Sequence, residues 1–280
     1  MEMMTDPKEM QQRALAAKRA GQRIAFVPTM GYLHAGHLSL LQEGRKRGDL
    51  LVLSIFVNPT QFGANEDLST YPRALERDCE LARAAGTDLV FAPATAAIYP
   101  PDASTWVNVE GLTDVLCGAS RPGHFRGVTT VVAKLFNLVQ PDVALFGCKD
   151  FQQLAVIRRM VRDLDMPVEI VGMPIVREAD GLALSSRNVY LAPDERQQAL
   201  VLSRAIATAR QMAGAGVRAA GEIVAALRAL IATQSAARID YLRICHQDTL
   251  QEQATIDKDS VLFLAVFIGK TRLIDNSFLQ

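Results

Sequence analysis

Over roughly the first 175 positions, apolar residues come in short unbroken runs rather than in alternation. The runs at 24–27, 50–57, 89–91, 143–146 and 168–171 are dominated by Val, Leu, Ile, Ala and Phe. That is the pattern of strands buried on both faces of a parallel sheet. Between them, apolar residues recur at spacings of three and four. Val128, Val131, Val132, Leu135, Phe136 and Val139 form one such stripe, and Phe151, Leu154, Ile157 or Arg158, Val161 and Leu164 another. Each stripe predicts a helix with one side toward a core. The alternation predicts an α/β fold built on a doubly wound parallel sheet, whose ligands gather beyond the carboxyl ends of the strands. After about residue 176 the pattern changes. Residues 195–212 and 220–233 predict two Ala-rich helices around the Gly214-Ala215-Gly216 turn. Three strands follow at 239–244, 261–268 and 271–274, the last two joined by a tight Gly269-Lys270 turn. A domain over 1–175 and a smaller C-terminal α+β domain over 176–280 are therefore expected.

Composition narrows the setting. The 280 residues carry 30 Lys+Arg against 30 Asp+Glu, so no global field draws in nucleic acid or an anionic membrane. The four cysteines, Cys79, Cys117, Cys148 and Cys245, form no CxxC pair. This fits reduced thiols in a cytosol better than a disulfide framework or a zinc knuckle. Residues 1–20 mix charged and polar side chains and lack the apolar centre of a secretory leader. The longest apolar runs, 50–57 and 261–268, are strand length, too short to span a bilayer. A cytoplasmic protein without membrane or nucleic-acid partners is expected.

Candidate chemistry falls at the ends of predicted strands. After the run at 24–27 comes PTMGYLHAGH, in which His34 and His37 flank Gly36 where a turn gives way to a helix. Helix N-termini carry unpaired N–H groups and attract phosphates, and two imidazoles there add further donors. A zinc site would need a third ligand, and the Glu of HExxH is absent. The run at 50–57 leads to Asn58 and Gln61, two neutral amides that donate and accept. The run at 143–146 leads to Gly147, Cys148, Lys149 and Asp150, with Gln153 one turn into the next helix. A lysine so placed suits phosphate oxygens. Finally READGLALSSRN, 177–188, sets adjacent hydroxyls and Arg187 on a Gly-containing loop able to fold over a triphosphate. In isolation the histidine pair reads better as a surface or capped-turn accident, while Asn58-Pro59 reads equally as a polar turn and Ser185-Ser186 as a helix cap. Gly269-Lys270-Thr271 imitates the end of a P-loop, but position 264 is Leu and a strand follows, so it reads as a hairpin turn.

Together PTMGYLHAGH, SIFVNPTQF, CGASRPGHFRGVTTVVAKLFN, FGCKDFQQ and DGLALSSRN resemble, in order and spacing, the pantoate–β-alanine ligase (pantothenate synthetase) family of the HxGH nucleotidyltransferase superfamily. The resemblance covers essentially the whole chain and implies a Rossmann-like fold. SSRN is similar to the KMSKS loop of class I aminoacyl-tRNA synthetases. The resemblance implies that ATP and (R)-pantoate form pantoyl adenylate and pyrophosphate, and that β-alanine then displaces AMP, with Mg²⁺ bridging phosphates. It implies catalytic roles for His37, the proton donor, His34 and Lys149. An ATP site of Met30, Gly31, Tyr32, Leu33, His34, Ala35, Gly36, His37, Gly147, Cys148, Lys149, Asp150, Val176, Leu184, Ser185, Ser186 and Arg187 follows from it. Gln61 and Gln153 would hold pantoate with Asn58 among the substrate contacts, Gln61 would also lie near β-alanine, and the protein would be a homodimer. No protein ligand to a metal is implied. Related enzymes that adenylate nicotinate mononucleotide or phosphopantetheine lack the amide pair, so Gln61 and Gln153 discriminate. A catalytically dead nucleotide-binding regulator is opposed by the complete set of His37, Lys149 and Arg187. One position departs from the family pattern: Cys148 stands where Glu or Gln is expected. Either its thiol faces away while its backbone meets the nucleotide, or Lys149 and the helix start lower its pKa and make it reactive.

Overall fold

The computed structural model describes residues 1–64 and 66–279, and the chain divides into two compact units. The first comprises Met1–Cys148 and Val156–Pro174; the second comprises Lys149–Ala155 and the chain from Ile175 onward.

The first unit contains strands β1 (Glu2–Met4), β2 (Ile24–Thr29), β3 (Leu50–Ile55), β4 (Leu89–Phe91), β5 (Val143–Gly147) and β6 (Glu169–Met173). All pair in parallel, in the order β1-β4-β3-β2-β5-β6. Its helices are α1 (Pro7–Arg19), α2 (Ala35–Arg47), α3 (Leu75–Ala84), α4 (Thr95–Ile98), α5 (Cys117–Ser120), α6 (His124–Val139) and most of α7 (Phe151–Asp163). The expected doubly wound sheet is present. The unbroken apolar runs are its central strands: Ile24 to Val27 and Leu51 to Leu53 are fully buried, as covering both faces requires. From β2 the chain steps outward through β3 and β4, then returns to β5 on the other side of β2. Strand order thus reverses between β2 and β5, and ligand crevices form at such a reversal. The short edge strand β1 lies outside the sequence expectation.

The second unit contains α8 (Pro193–Ala199), α9 (Val201–Gly214) and α10 (Ala220–Ala232), then β7 (Ala237–His246), β8 (Ser260–Ile268) and β9 (Thr271–Phe278). The three strands form an antiparallel sheet in the order β7-β8-β9. Two expectations are corrected here. The helix read over 195–212 is two helices divided at Leu200, whose N–H bonds to the Gln197 carbonyl, one residue nearer than in an α-helix. The strand read over 271–274 runs on to Phe278. The polar run Asp275-Asn276-Ser277 resembles a loop in sequence, yet it is buried because each side chain has a partner. Arg177 pairs with Asp275, Asn276 donates to the Lys149 carbonyl, and Arg210 donates to Ser277 Oγ. Among the described residues no helix is long and apolar enough to cross a membrane.

Candidate active site

In the first unit the turn leaving β2 is built around a carboxylate. Gly31 has φ +83° and Tyr32 φ +51°, a left-handed pair that costs a non-glycine residue about 1–2 kcal/mol. Asp78 of α3, 1% exposed, accepts the Tyr32 and Leu33 N–H groups at 2.7 Å each. Two successive N–H groups converging on one anion form a nest, and here the protein fills it with its own carboxylate. A Cβ on Gly31 would lie 3.0 Å from both Asp78 Oδ2 and Ile55 Cγ2, a tight approach that adds to the torsional preference for glycine. The turn then enters α2 with His34 as its cap. Gly36 N–H donates to His34 Nδ1 at 3.1 Å, and His34 N–H donates to His37 Nδ1 at 3.3 Å. A backbone N–H only donates, so both Nδ1 atoms accept, and each neutral ring carries its proton on Nε2. The ring centroids are 4.1 Å apart. Met30 to His37 are thus one stiffened element that presents two imidazole donors at a helix start.

Asn58 and Gln61 also come together in this unit. Asn58 Nδ2 donates to Gln61 Oε1 and to the Gly127 carbonyl, both at 3.1 Å, and Gln61 Nε2 donates to Met30 Sδ at 3.2 Å. This packing depends on Gly127 of α6, because a Cβ there would lie 2.4 Å from the Thr60 carbonyl oxygen. The Gln61 carbonyl is held from the other side by His124 Nδ1 at 2.8 Å and Arg121 Nη2 at 3.3 Å. Glu66 grips Arg121 through two hydrogen bonds of 2.7 and 2.6 Å. Burial alone would raise the Glu66 carboxyl, but the Arg121 guanidinium outweighs it and leaves it below the usual range. Asp78, Glu66, Arg121 and His124 were not singled out from sequence. Only the last two had a signal, because they lie inside the matched segment CGASRPGHFRG.

Gly147 closes β5, and Cys148 follows it, half-buried. Burial pushes the Cys148 thiol up, with Arg158 only partly opposing. Of the two readings this favours the unreactive thiol over the reactive one: desolvation of the thiolate outweighs the cationic neighbourhood.

In the second unit Lys149 is largely buried, its Nζ 3.8 Å from Asp150 and its carbonyl fixed to β9 by Asn276 Nδ2 at 2.8 Å. Gln153 lies half-buried in the first turn of α7. Leu184 N–H bonds the Val176 carbonyl at 3.0 Å, so 176–184 is a small hairpin. Its base is locked by the two-pronged Arg177–Asp275 pair at 2.7 and 2.9 Å, with the Asp275 side chain 1% exposed. The SSRN segment is a short 3₁₀ turn, Ser186–Tyr190, capped by Ser185 Oγ on the Arg187 N–H. Asn188 Nδ2 ties that turn to Glu178 and the Ala183 carbonyl, and Arg196 holds Glu178 and Asp180. Lys149, Ser185, Asn188 and Asp275 line one small cavity. Among the described residues no group of three or more His, Cys, Asp or Glu is gathered to hold a metal ion.

A doubly wound sheet whose switch-point turn sets two imidazole N–H donors at a helix N-terminus defines the class: an α/β enzyme that activates a nucleotide at its phosphates. The sequence model of the family described as pantoate-beta-alanine ligase matches residues 2–278. Pantothenate synthetase of Syntrophotalea carbinolica is 62% identical over 279 residues, covering all of this chain and 99% of that one. The pantothenate synthetase structure from Thermus thermophilus superposes with a TM-score of 0.95 at 48% identity, over 100% of this chain and 99% of that one. The pantoate-beta-alanine ligase from Francisella tularensis, complexed with beta-gamma ATP and beta-alanine, gives a TM-score of 0.82 at 32% identity, over 100% and 98%. The chain belongs to the pantoate–β-alanine ligase family.

Proposed function

We propose that the protein joins (R)-pantoate to β-alanine in two half-reactions driven by ATP. A pantoate carboxylate oxygen attacks the α-phosphorus of ATP, the bond to pyrophosphate breaks, and pantoyl adenylate forms. The β-alanine amine then attacks the acyl carbon, the bond to AMP breaks, and the amine loses a proton. Negative charge grows on phosphate oxygens in the first step, so fixed donors and cations there accelerate it. The observation that carries this reading is the capped His34–His37 pair, whose two Nε2–H donors are fixed by backbone bonds to Nδ1. His37 donates to the developing charge, and His34 assists. Lys149, Ser185, Ser186 and Arg187 bind the triphosphate, with Mg²⁺ entering as part of the Mg–ATP substrate. Gln61 and Gln153 hold pantoate. No covalent enzyme intermediate is needed, so the cysteines take no part. Residues 1–175 then act as the ATP- and pantoate-binding domain and 176–280 as the domain carrying the SSRN loop. The Francisella tularensis relative complexed with beta-gamma ATP and beta-alanine supports both substrates. A cytoplasmic homodimer is part of the same proposal.

The test is ATP–pyrophosphate exchange with and without pantoate, followed by AMP release on adding β-alanine. Exchange that needs pantoate, and AMP release that needs β-alanine, are expected. Exchange indifferent to pantoate, or transfer to nicotinate mononucleotide or phosphopantetheine instead, would overturn the proposal.

A further inference from the structure

Asn58 is 1% exposed, and every strong valence of its amide is directed. The Gly127 carbonyl can only accept, so the Asn58 atom facing it at 3.1 Å must be Nδ2. That choice fixes the rest. Asn58 Oδ1 accepts from Thr60 Oγ1–H at 2.9 Å, and the Thr60 oxygen lies 3.2 Å from the Tyr99 hydroxyl, which then donates to it. The second Asn58 Nδ2 proton points at Gln61, so the atom it meets must be Oε1. Gln61 Nε2 is left facing the opposite way, with one proton on Met30 Sδ, a weak acceptor. Donation runs in a single direction from Tyr99 through Thr60 and Asn58 to Gln61.

We infer that Asn58, Thr60 and Tyr99 are positioning residues that hold the Gln61 amide as a hydrogen-bond donor toward the acid substrate. Both Asn58 Nδ2 protons are used inside the protein, so Asn58 acts through Gln61 rather than on substrate. Gln61 meets an acceptor, a carboxylate or hydroxyl oxygen, and selects for acids bearing one there. The Arg121 and His124 bonds to the Gln61 carbonyl fix the backbone from which that side chain projects. This rests on the proposed reading that Gln61 binds pantoate.

The test is steady-state exchange kinetics on the full chain with pantoate and ATP varied separately. Wild type must first show pantoate-dependent exchange; if it does not, the proposed function falls. Thr60→Val keeps the shape and removes the proton given to Asn58. It is expected to raise the pantoate KM about five-fold, the scale of one neutral hydrogen bond, with the ATP KM unchanged. Thr60→Ser restores the hydroxyl and the wild-type KM. Asn58→Asp sets carboxylate oxygens against the Gly127 carbonyl and Gln61 Oε1, and is expected to raise the pantoate KM at least as far as Gln61→Ala does. Should Asn58→Asp fail to fold, the Thr60 pair decides. A folded Thr60→Val with wild-type pantoate KM, or a Thr60→Ser as impaired as Thr60→Val, would overturn the inference while leaving the ligase reading intact.

Discussion

Gly127→Ala is the substitution whose outcome the geometry constrains most tightly. Position 127 lies inside α6, where Ala is intrinsically favoured over Gly by about 0.5–1 kcal/mol. The added Cβ would meet the Thr60 carbonyl oxygen at 2.4 Å, its carbon at 2.5 Å and the Gln61 nitrogen at 2.7 Å. All three atoms are backbone, so no side chain can swing aside. The 59–61 turn must retreat by about 1 Å to reach ordinary contact. Overpacking of this kind costs about 1–3 kcal/mol, so the clash exceeds the helical gain and Tm falls by about 2–4 °C. The functional effect is larger. Retreat misaligns the Gly127 carbonyl with Asn58 and moves Gln61 off its mark, and a misplacement near 1 Å can cost about 10²-fold. Exchange measured against varied pantoate should show kcat/KM down about 10- to 100-fold. Titrated with ATP, the variant should resemble wild type, because the histidine turn is fixed independently by Asp78. A variant that melts higher than wild type and keeps its pantoate KM would refute the steric argument and the role given to the 58–61 turn.

His37→Ala should lower pantoate-dependent exchange by about 10²-fold with the fold intact by circular dichroism; near wild-type exchange would remove His37 from the mechanism. Lys149→Ala should weaken ATP binding and turnover together, whereas Gln153→Ala should raise only the pantoate requirement; calorimetry showing lost ATP affinity in the glutamine variant would reverse that division. The Glu66 carboxyl sits below its ordinary 4.5, so its stabilising contribution is complete above that pH and is lost as the pH falls through the lowered value. Wild type should therefore lose Tm more steeply than Glu66→Gln below pH 4.5, and parallel curves would deny the pair a part in stability. Cys148→Ser should keep nearly full activity and alkylation of Cys148 should be slow at neutral pH, since burial holds the thiol protonated; a folded, ATP-binding variant unable to form the adenylate would give the thiol a role.

The central strands were legible because a parallel sheet covered on both faces leaves unbroken apolar runs rich in Val, Leu and Ile. The edge strand β1 was not, because Glu2 and Met3 are exposed and carry no such pattern. The end of β9 was hidden for the opposite reason: Asp275, Asn276 and Ser277 are polar residues buried by partners distant in sequence. At the site, the histidine turn and the SSRN segment announce themselves because their chemistry is local, a cap within four residues and a turn within five. Asp78 acts on a loop 45 residues earlier, and Glu66 on Arg121 55 residues later. Local pattern carries no trace of such pairings. At Cys148 the sequence left two readings open, because the burial that pushes its thiol up is set by the fold and not by its neighbour Lys149.

On the proposed reading, the groups that orient the recognition residues of the first unit are buried anchors within the protein. Asp78 fixes the turn that carries the two imidazoles, and the Gly127 carbonyl fixes the direction in which Gln61 donates. In each case the anchoring group permits only one polarity: a carboxylate only accepts, and so does a peptide carbonyl. An anchor that could also donate, such as a hydroxyl or an amide, would let the dependent group turn over and present the wrong atom. Preorganised dipoles need no rearrangement as charge develops on the reacting phosphate, which is where electrostatic catalysis gains most. It follows that changes which preserve shape but reverse polarity at the anchors, Asp78→Asn among them, should harm function more than stability. At Asp78 one-way hydrogen bonding is then the tighter constraint, whereas at Gly127 close packing on the Thr60 backbone constrains shape as well.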